Sequence, residues 1–178
     1  MMKSSDVGRI RLALRDATMK DHRHVDALFS PYALDCRDDY RAFLIAHARA
    51  VGAIEPVAMP DRSRLPLLAQ DLDSLGVPMP APLPLSGEAS DGYRWGLLYA
   101  LEGSRLGGAM LARQVGKGLP IAYLSAVHGK GEWKDFQAAL ESAALKGGEG
   151  WLDDAVQGAQ AAFALFAQAG ADRVALHG

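Results

Sequence analysis

The sequence has a single cysteine, no long apolar run and almost no net charge, and each of these absences excludes a class of protein. Cys36 alone cannot form an internal disulfide, a Cys-x-x-Cys redox pair or a structural zinc site. No stretch approaches the roughly 18 apolar residues of a membrane-spanning helix. A formal net charge of -2 gives no reason to expect nucleic acid or a membrane surface as the main partner.

The opening residues MMKSSDVGRIRLALRD are charged and lack an apolar core, so we expect no signal peptide and a cytoplasmic protein. The chain has 178 residues, of which 49% are hydrophobic. That length suits one domain with a substantial core, and we assign residues 1–178 to a single domain.

Most of the chain has apolar residues at helical spacing, and no segment is convincing as a strand. We predict an all-α domain of about six to eight helices, because the periodic segments are separated by turn residues. The predicted helices cover 6–29 (capped by Ser5 or Asp6), 38–56 and 62–75, a segment of roughly 20 to 25 residues within GYRWGLLYALEGSRLGGAMLARQV, and the two segments EWKDFQAALESAAL and WLDDAVQGAQAAFALFAQAG.

Between the third and fourth helices, proline occupies alternate positions. The run VPMPAPLPLSG contains Pro78, Pro80, Pro82 and Pro84. Because proline fixes its own backbone and disfavours helix in the residue before it, we expect an extended surface linker here.

The first helix carries a candidate metal ligand. Thr18, His22, Val25 and Phe29 follow the spacing of one helical face, whereas His24 is rotated by about 200 degrees from His22. We therefore expect His22 to face inward and His24 to face solvent. From this helix alone, His22 is either a hydrogen-bonded core residue or a ligand.

Two charged residues near His22 fit the ligand interpretation. Asp26, one turn later, could accept a hydrogen bond from the other ring nitrogen, directly or through water. Arg15, two turns earlier, could hold the anionic edge of a flat ligand. The alternative is that both are ordinary surface charges of a helix.

The predicted fourth helix carries a stripe of small residues. Gly96, Ala100, Gly103 and Gly107 recur at one face, and Gly108 widens the stripe. Each interior glycine costs about 0.5–1 kcal/mol relative to alanine, so the stripe needs a reason. Two explanations remain open, which are close packing against another helix and contact between a planar ligand and bare backbone.

Polar residues lie within or beside this stripe. Ser104 could organise water near a bound oxygen species, or its hydroxyl could bond to a backbone carbonyl one turn back. Glu102 and Arg105 are its charged neighbours.

Together, the two helices resemble those of a known family. LRDATMKDH followed by VD resembles the proximal helix of haem oxygenases, with its Thr-x-x-x-His-x-x-x-acid pattern. GLLYALEGSRLGGAML is similar to the distal helix of the bacterial, biliverdin-producing members, which carry Glu-Gly-Ser-x-Leu-Gly. WKDF and AAFALF resemble the last helices. The resemblance covers nearly the whole chain, is weakest over 58–90, and implies a haem-oxygenase-like fold with haem between a proximal and a distal helix.

The resemblance implies a set of roles for named residues. His22 matches the proximal iron ligand, with Thr18 and Asp26 beside it, and Arg15 matches a basic residue near a haem propionate. The remaining matches are the distal glycines Gly103, Gly107 and Gly108, the pocket aromatic Phe163, and Lys134 near another propionate-contacting position. Arg105 and Lys117 are further candidates for seating the propionates.

One position departs from the animal branch of the family. An aspartate there follows the first distal glycine and organises the distal waters, whereas this chain has Ser104. Bacterial relatives also have serine, and we expect Ser104 and backbone groups to order the water instead.

The reaction implied is the opening of haem to biliverdin, carbon monoxide and ferrous iron. Haem is both cofactor and substrate, O2 is consumed, and the electrons come from an external donor such as a ferredoxin or a reductase. The biliverdin formed could pass to an acceptor such as a phytochrome. Two alternatives stay open, which are a haem carrier or sensor without turnover and a helical protein that binds no haem.

Overall fold

The computed structural model describes residues 8–85 and 89–177. This part of the chain contains seven helices and no strand, as the periodicity predicts. They are α1 (Arg9–Phe29), α2 (Arg37–Ala58), α3 (Leu65–Ser74), α4 (Asp91–Arg105), α5 (Gly108–Gln114), α6 (Glu132–Gly147) and α7 (Trp151–His177).

The start of α1 is capped by a distant side chain. The Glu141 carboxylate of α6 accepts hydrogen bonds from the backbone N–H groups of Ile10 (3.1 Å) and Arg11 (3.2 Å). These are donors that a helix leaves unpaired in its first turn. The proposed local caps, Ser5 and Asp6, lie outside the described residues.

The long helix predicted after the proline linker is divided in two. Helix α4 ends at Arg105 and α5 begins at Gly108. At the junction, the Leu106 N–H donates to the Gly103 carbonyl at 3.1 Å, a three-residue step instead of the four-residue step of an α-helix. We call this junction, residues 106–107, the bend.

Helices α1 and α4 both run parallel to α7 and pack against it. Along α1, Ala17 accepts a hydrogen bond from Gln160, and Phe29 lies against Gly170. Along α4, the Trp151 indole donates to Asp91 at 2.8 Å. Contacts with α7 therefore fix how α1 and α4 are shifted relative to each other along the α7 axis.

Glycine permits the close approach of α4 and α7. A Cβ atom on Gly96 would overlap the backbone of Ala155 and Ala159, and one on Gly158 would overlap the Tyr93 carbonyl. Close helix packing is therefore the reason for the first half of the glycine stripe.

Helix α2 supplies much of the core, with Tyr40, Leu44, Val51 and Ile54 fully buried. The proline linker is extended, as predicted, and the Leu83 N–H donates to the Arg49 carbonyl of α2 at 3.0 Å. Each helix in the described ranges is too short or too polar to cross a membrane.

Candidate functional site

The candidate proximal residue, His22, lies on α1 beside α7. The centroids of the His22 and Phe163 rings are 5.8 Å apart, with 52° between the ring planes. The His22 side chain is 64% exposed, so the prediction that it faces inward is wrong. Leu14 and Thr18 are buried, and each four-residue step turns the stripe by about 40 degrees, which brings His22 out of the core.

The neighbours of His22 on α1 have different environments. An Asp26 carboxylate oxygen lies 3.7 Å from His22 Nε2, farther than a direct hydrogen bond and suited to a bridging water. The Thr18 hydroxyl is buried and donates to the Leu14 carbonyl at 2.7 Å. His24 is exposed, as predicted.

The candidate distal glycines are not equivalent. A Cβ atom on Gly103 or Gly107 would meet nothing within 4 Å, whereas one on Gly108 would come 2.6 Å from the Leu124 carbonyl oxygen. Close packing is therefore confirmed for part of the stripe, and contact with a planar ligand stays a prediction for the rest. Gly96 and Gly108 permit close packing, and Gly103 and Gly107 leave bare backbone beside open space.

The contacts of α7 place these glycines and His22 at similar positions along the α7 axis. His22 lies beside Phe163, and Gly96 lies against Ala159. Gly103 follows Gly96 by seven residues, and α4 runs parallel to α7. Gly103 therefore lies within about one helical turn of Phe163 along the α7 axis. The exposed imidazole of His22 and the backbone of Gly103 therefore lie at similar positions along the α7 axis, on two helices that both pack against α7.

Two of the predicted basic residues, Arg15 and Lys134, are exposed. Arg15 is exposed on α1 and lowers the pKa of Tyr99 on α4, opposing the larger upward shift caused by burial of the phenol. Lys134 is exposed on α6. Within the described ranges, neither cation forms an ion pair, so both remain available to an anionic ligand.

A first buried arginine supports α4 just before the bend. Arg64, 4% exposed, donates to the Leu101 carbonyl at 3.0 Å and to the Ser104 hydroxyl. The Ser104 hydroxyl donates in turn to the Leu101 carbonyl at 2.6 Å. Behind Arg64, the Glu55 carboxylate accepts from the Arg64 backbone N–H at 2.7 Å.

A second buried arginine lies in the last turn of α4. Arg105 donates to the carbonyls of Ala126 (3.2 Å) and Arg62, and its Nε lies 3.2 Å from Glu102. Burial lowers the pKa of the Arg105 guanidinium, and the Glu102 charge opposes that shift. Glu102 also lies 2.7 Å from His128 Nε2. We call Arg64, Glu102, Arg105 and His128 the bend cluster.

Known proteins resemble this chain in fold and in part of its sequence. No protein-family model matches the chain. A solved structure of a haem oxygenase from Neisseria meningitidis, described with NO and CO bound, matches with a TM-score of 0.75 at 24% identity. That match covers 92% of this chain and 90% of the other, and it shows that the fold is that of haem oxygenases.

A curated relative extends the likeness from the fold to the sequence. The haem oxygenase of Xanthomonas campestris pv. campestris (strain 8004) is 43% identical over 117 residues. This chain is therefore similar to a haem oxygenase in part of its sequence as well as in its fold. The aligned region covers 59% of this chain and 66% of the relative, just under two thirds of its length.

The structure corrects one family-based assignment and weakens another. Arg105 was expected to contact a haem propionate, but it is 4% exposed and bonded to the protein itself, so that prediction is wrong. Ser104 follows the second of its two interpretations, because its hydroxyl bonds to a carbonyl one turn back. Its role in ordering distal water stays a prediction.

A haem oxygenase needs only one protein ligand to iron, and the described residues offer no larger metal site. Residues 8–85 and 89–177 bring together no group of three or more His, Cys, Asp or Glu side chains that could hold an ion. His22 is exposed, Gly103 and Gly107 border open space, and Arg15 and Lys134 form no ion pair among the described residues, which suits an anionic planar ligand such as haem.

Sequence reasoning missed several polar residues behind the site. Arg64 reaches Ser104 across 40 residues, and His128 reaches Glu102 across 26. His47 stacks on Phe43, with ring centroids 4.2 Å apart, and its Nδ1 lies 2.7 Å from the Tyr123 hydroxyl. His47 lies four residues from both Phe43 and Val51, on one face of α2, and this spacing was the available sequence signal of its enclosure.

Proposed function

We propose that this protein is a haem oxygenase of the bacterial biliverdin-producing type. It opens haem to biliverdin, carbon monoxide and ferrous iron, with O2 and electrons from an external donor. The observation that carries this proposal is the accessible imidazole of His22 at the height of two glycines whose backbone borders open space.

On the proximal side, His22 is the iron ligand. Asp26 lies 3.7 Å from His22 Nε2, close enough for its carboxylate to orient the ring. Such a carboxylate partner fixes the tautomer and raises the basicity of the ligand. The ring of Phe163 limits the rotation of His22 from the side of α7, and the buried Thr18 anchors the preceding turn.

On the distal side, Gly103 and Gly107 admit a planar substrate. Bound haem supplies the iron that activates O2 and the porphyrin carbon that is oxidised. The glycines contribute backbone rather than side chains, so the reacting face approaches the helix closely. Gly108 keeps the start of α5 packed on Leu124 and thereby fixes the position of Gly107.

Charge complements the substrate, since the propionates of haem are anionic. Arg15 and Lys134 are exposed cations without ion-pair partners among the described residues, and they are the proposed propionate contacts. Their positions on α1 and α6 select the rotation of the macrocycle, and hence the carbon presented to the distal glycines.

The proposal implies partners and a location. Because the chain carries no nicotinamide or flavin fingerprint, the donor is a ferredoxin or a reductase. A phytochrome-type protein is the proposed acceptor of biliverdin, and the proposed location is the cytoplasm.

A single titration tests the proposal. Hemin is added to the purified protein, the absorption spectrum is recorded, and a reductant is then supplied in air. We expect a one-to-one histidine-ligated complex that decays into a biliverdin band. A stable complex that never bleaches would assign the protein to haem transport or sensing. No binding would leave only the fold in common with the family.

A further inference from the structure

Two buried guanidinium groups converge on the last turn of α4. Arg64 comes from the loop before α3, and Arg105 comes from α4 itself. Arg64 donates to the Leu101 carbonyl and the Ser104 hydroxyl, while Arg105 donates to the Arg62 and Ala126 carbonyls. They thereby join α4 to the loops on either side of it.

The charges of these groups are matched to their positions. The carbonyl end of a helix carries a partial negative charge, so cations stabilise it. Arg105 is paired with Glu102, which also contacts His128. Arg64 lies over the ring of Tyr123, with its guanidinium carbon 5.0 Å from the ring centroid. The two cations are therefore compensated without a ligand.

The Ser104 hydroxyl supplies a reason for the bend. A serine hydroxyl that bonds to a carbonyl in the preceding turn competes with the helical N–H and bends the helix. Here Ser104 makes that bond to Leu101, and Arg64 holds both the hydroxyl and the same carbonyl. The arginine therefore fixes the serine rotamer that favours the bend.

The bare backbone of the glycines depends on the same turn. Arg105 follows Gly103 by two residues, or about 200 degrees, so a buried Arg105 directs Gly103 outward. Gly103 and Gly107 both border open space. Glycine has more backbone freedom than any other residue, so this segment needs contacts from outside it to keep one conformation.

We propose that Arg64 and Arg105 are positioning residues that hold the bend, so that Gly103 and Gly107 keep their backbone towards the substrate. This inference rests on the proposed oxygenase function, because it assigns the glycines to the distal side of haem. Arg64 and Arg105 act through α4 and make no contact with the substrate.

The test compares Arg64→Gln with Arg94→Gln. Arg94 lies at the opposite end of α4, where it donates to the Ala58 carbonyl at 3.2 Å. Amide hydrogen exchange is measured on the haem-free proteins. We expect Arg64→Gln to accelerate exchange at residues 103–108 by about tenfold or more, with residues 92–100 unchanged, since local opening is controlled by local contacts. Arg94→Gln should leave 103–108 as in the wild type.

A second readout reports on the distal environment itself. Each protein is loaded with hemin, reduced and exposed to carbon monoxide, and the C–O stretching band is recorded. Arg64→Gln should shift or broaden that band, and Arg64→Lys should restore part of the wild-type band because one donor is regained. Arg94→Gln should give the wild-type band.

Two results would overturn the inference. One is unchanged exchange at 103–108 in Arg64→Gln, or acceleration spread evenly along α4. The other is a C–O band identical to the wild type in a variant whose exchange is accelerated. If Arg64→Gln does not fold, Ser104→Ala removes the hydroxyl link alone and is judged by the same two results. Failure of the oxygenase proposal is separate, because wild-type protein would then bind no hemin or hold it without turnover, while the exchange experiment still reports on the bend.

Discussion

Gly96 and Gly103 lie seven residues apart on the same face of α4, and α7 encloses the first while the second borders open space. A Cβ atom on Gly96 would overlap the backbone of α7, whereas one on Gly103 would meet nothing within 4 Å. The same residue type on one face therefore has a packing role at one position and a proposed substrate-facing role at the other.

Substitution of Gly103 should separate stability from function. We expect Gly103→Ala to stabilise the haem-free protein by about 0.5–1 kcal/mol, because glycine is a poor helix former. The added methyl group should nevertheless weaken hemin binding and slow turnover. Gly96→Ala is the matched control and should destabilise the fold by about 1–3 kcal/mol through overpacking. Urea unfolding and hemin titration give both quantities, and destabilisation by Gly103→Ala would contradict the prediction.

Removal of the His22 imidazole should abolish the histidine-ligated haem spectrum. His22→Ala is expected to keep its far-ultraviolet circular dichroism, since the side chain is 64% exposed. Free imidazole at millimolar concentration should restore part of the spectrum. His24→Ala, on the opposite side of α1, is the control. An unaltered spectrum in His22→Ala would refute the ligand assignment.

Arg105 should behave as a structural residue. We expect Arg105→Met to lower the free energy of unfolding of the haem-free protein by about 3–5 kcal/mol, because it breaks the buried pair with Glu102 and removes the donor to the Arg62 and Ala126 carbonyls. The measurement is urea unfolding without hemin. A variant of normal stability with impaired hemin affinity would instead support propionate binding by Arg105.

Arg15 should act on haem affinity alone. Arg15→Gln is expected to weaken hemin binding by about 0.5–1 kcal/mol, the range for a solvent-exposed ion pair. It should leave the stability of the haem-free protein unchanged. Lys20→Gln makes the same change in net charge elsewhere on α1 and should leave the affinity unaltered. Equal effects of the two variants would point to long-range charge rather than contact.

His47 should make the fold sensitive to mild acid. Burial, with a smaller effect from the Arg64 charge, lowers the pKa of His47 from 6.5 to about 3. The unfolded chain therefore binds a proton first as the pH falls, so this contribution is complete above pH 6.5 and is lost on acidification. Between about pH 6.5 and 5, the free energy of unfolding should fall by up to about 1.4 kcal/mol per pH unit. His47→Gln should flatten this slope and His24→Gln should not, as measured by urea unfolding at each pH.

The sequence was sufficient to predict the helices but not where they touch. Apolar spacing located the helical segments, and alternate prolines located the linker, because both signals are local. The sequence did not predict the break between α4 and α5 at residues 106–107, because glycines at helical spacing do not show which of them pack against another segment. The inward direction of Arg105 depends on carbonyls from two loops. The exposure of His22 depends on how far α1 rotates against α7, which local spacing does not record.

The parallel contact between α1 and α7 joins residues that are far apart in the sequence, and this separation sets the order in which the site assembles. Ala17 and Gln160 are hydrogen-bonded although 143 residues separate them in the sequence. Contacts of such long sequence separation form late, because loop closure must precede them. During synthesis, α1 leaves the ribosome long before Phe163 exists to stand beside His22. A nascent chain therefore carries the proposed iron ligand without the Phe163 ring beside it, and we expect haem capture to be confined to the finished polypeptide.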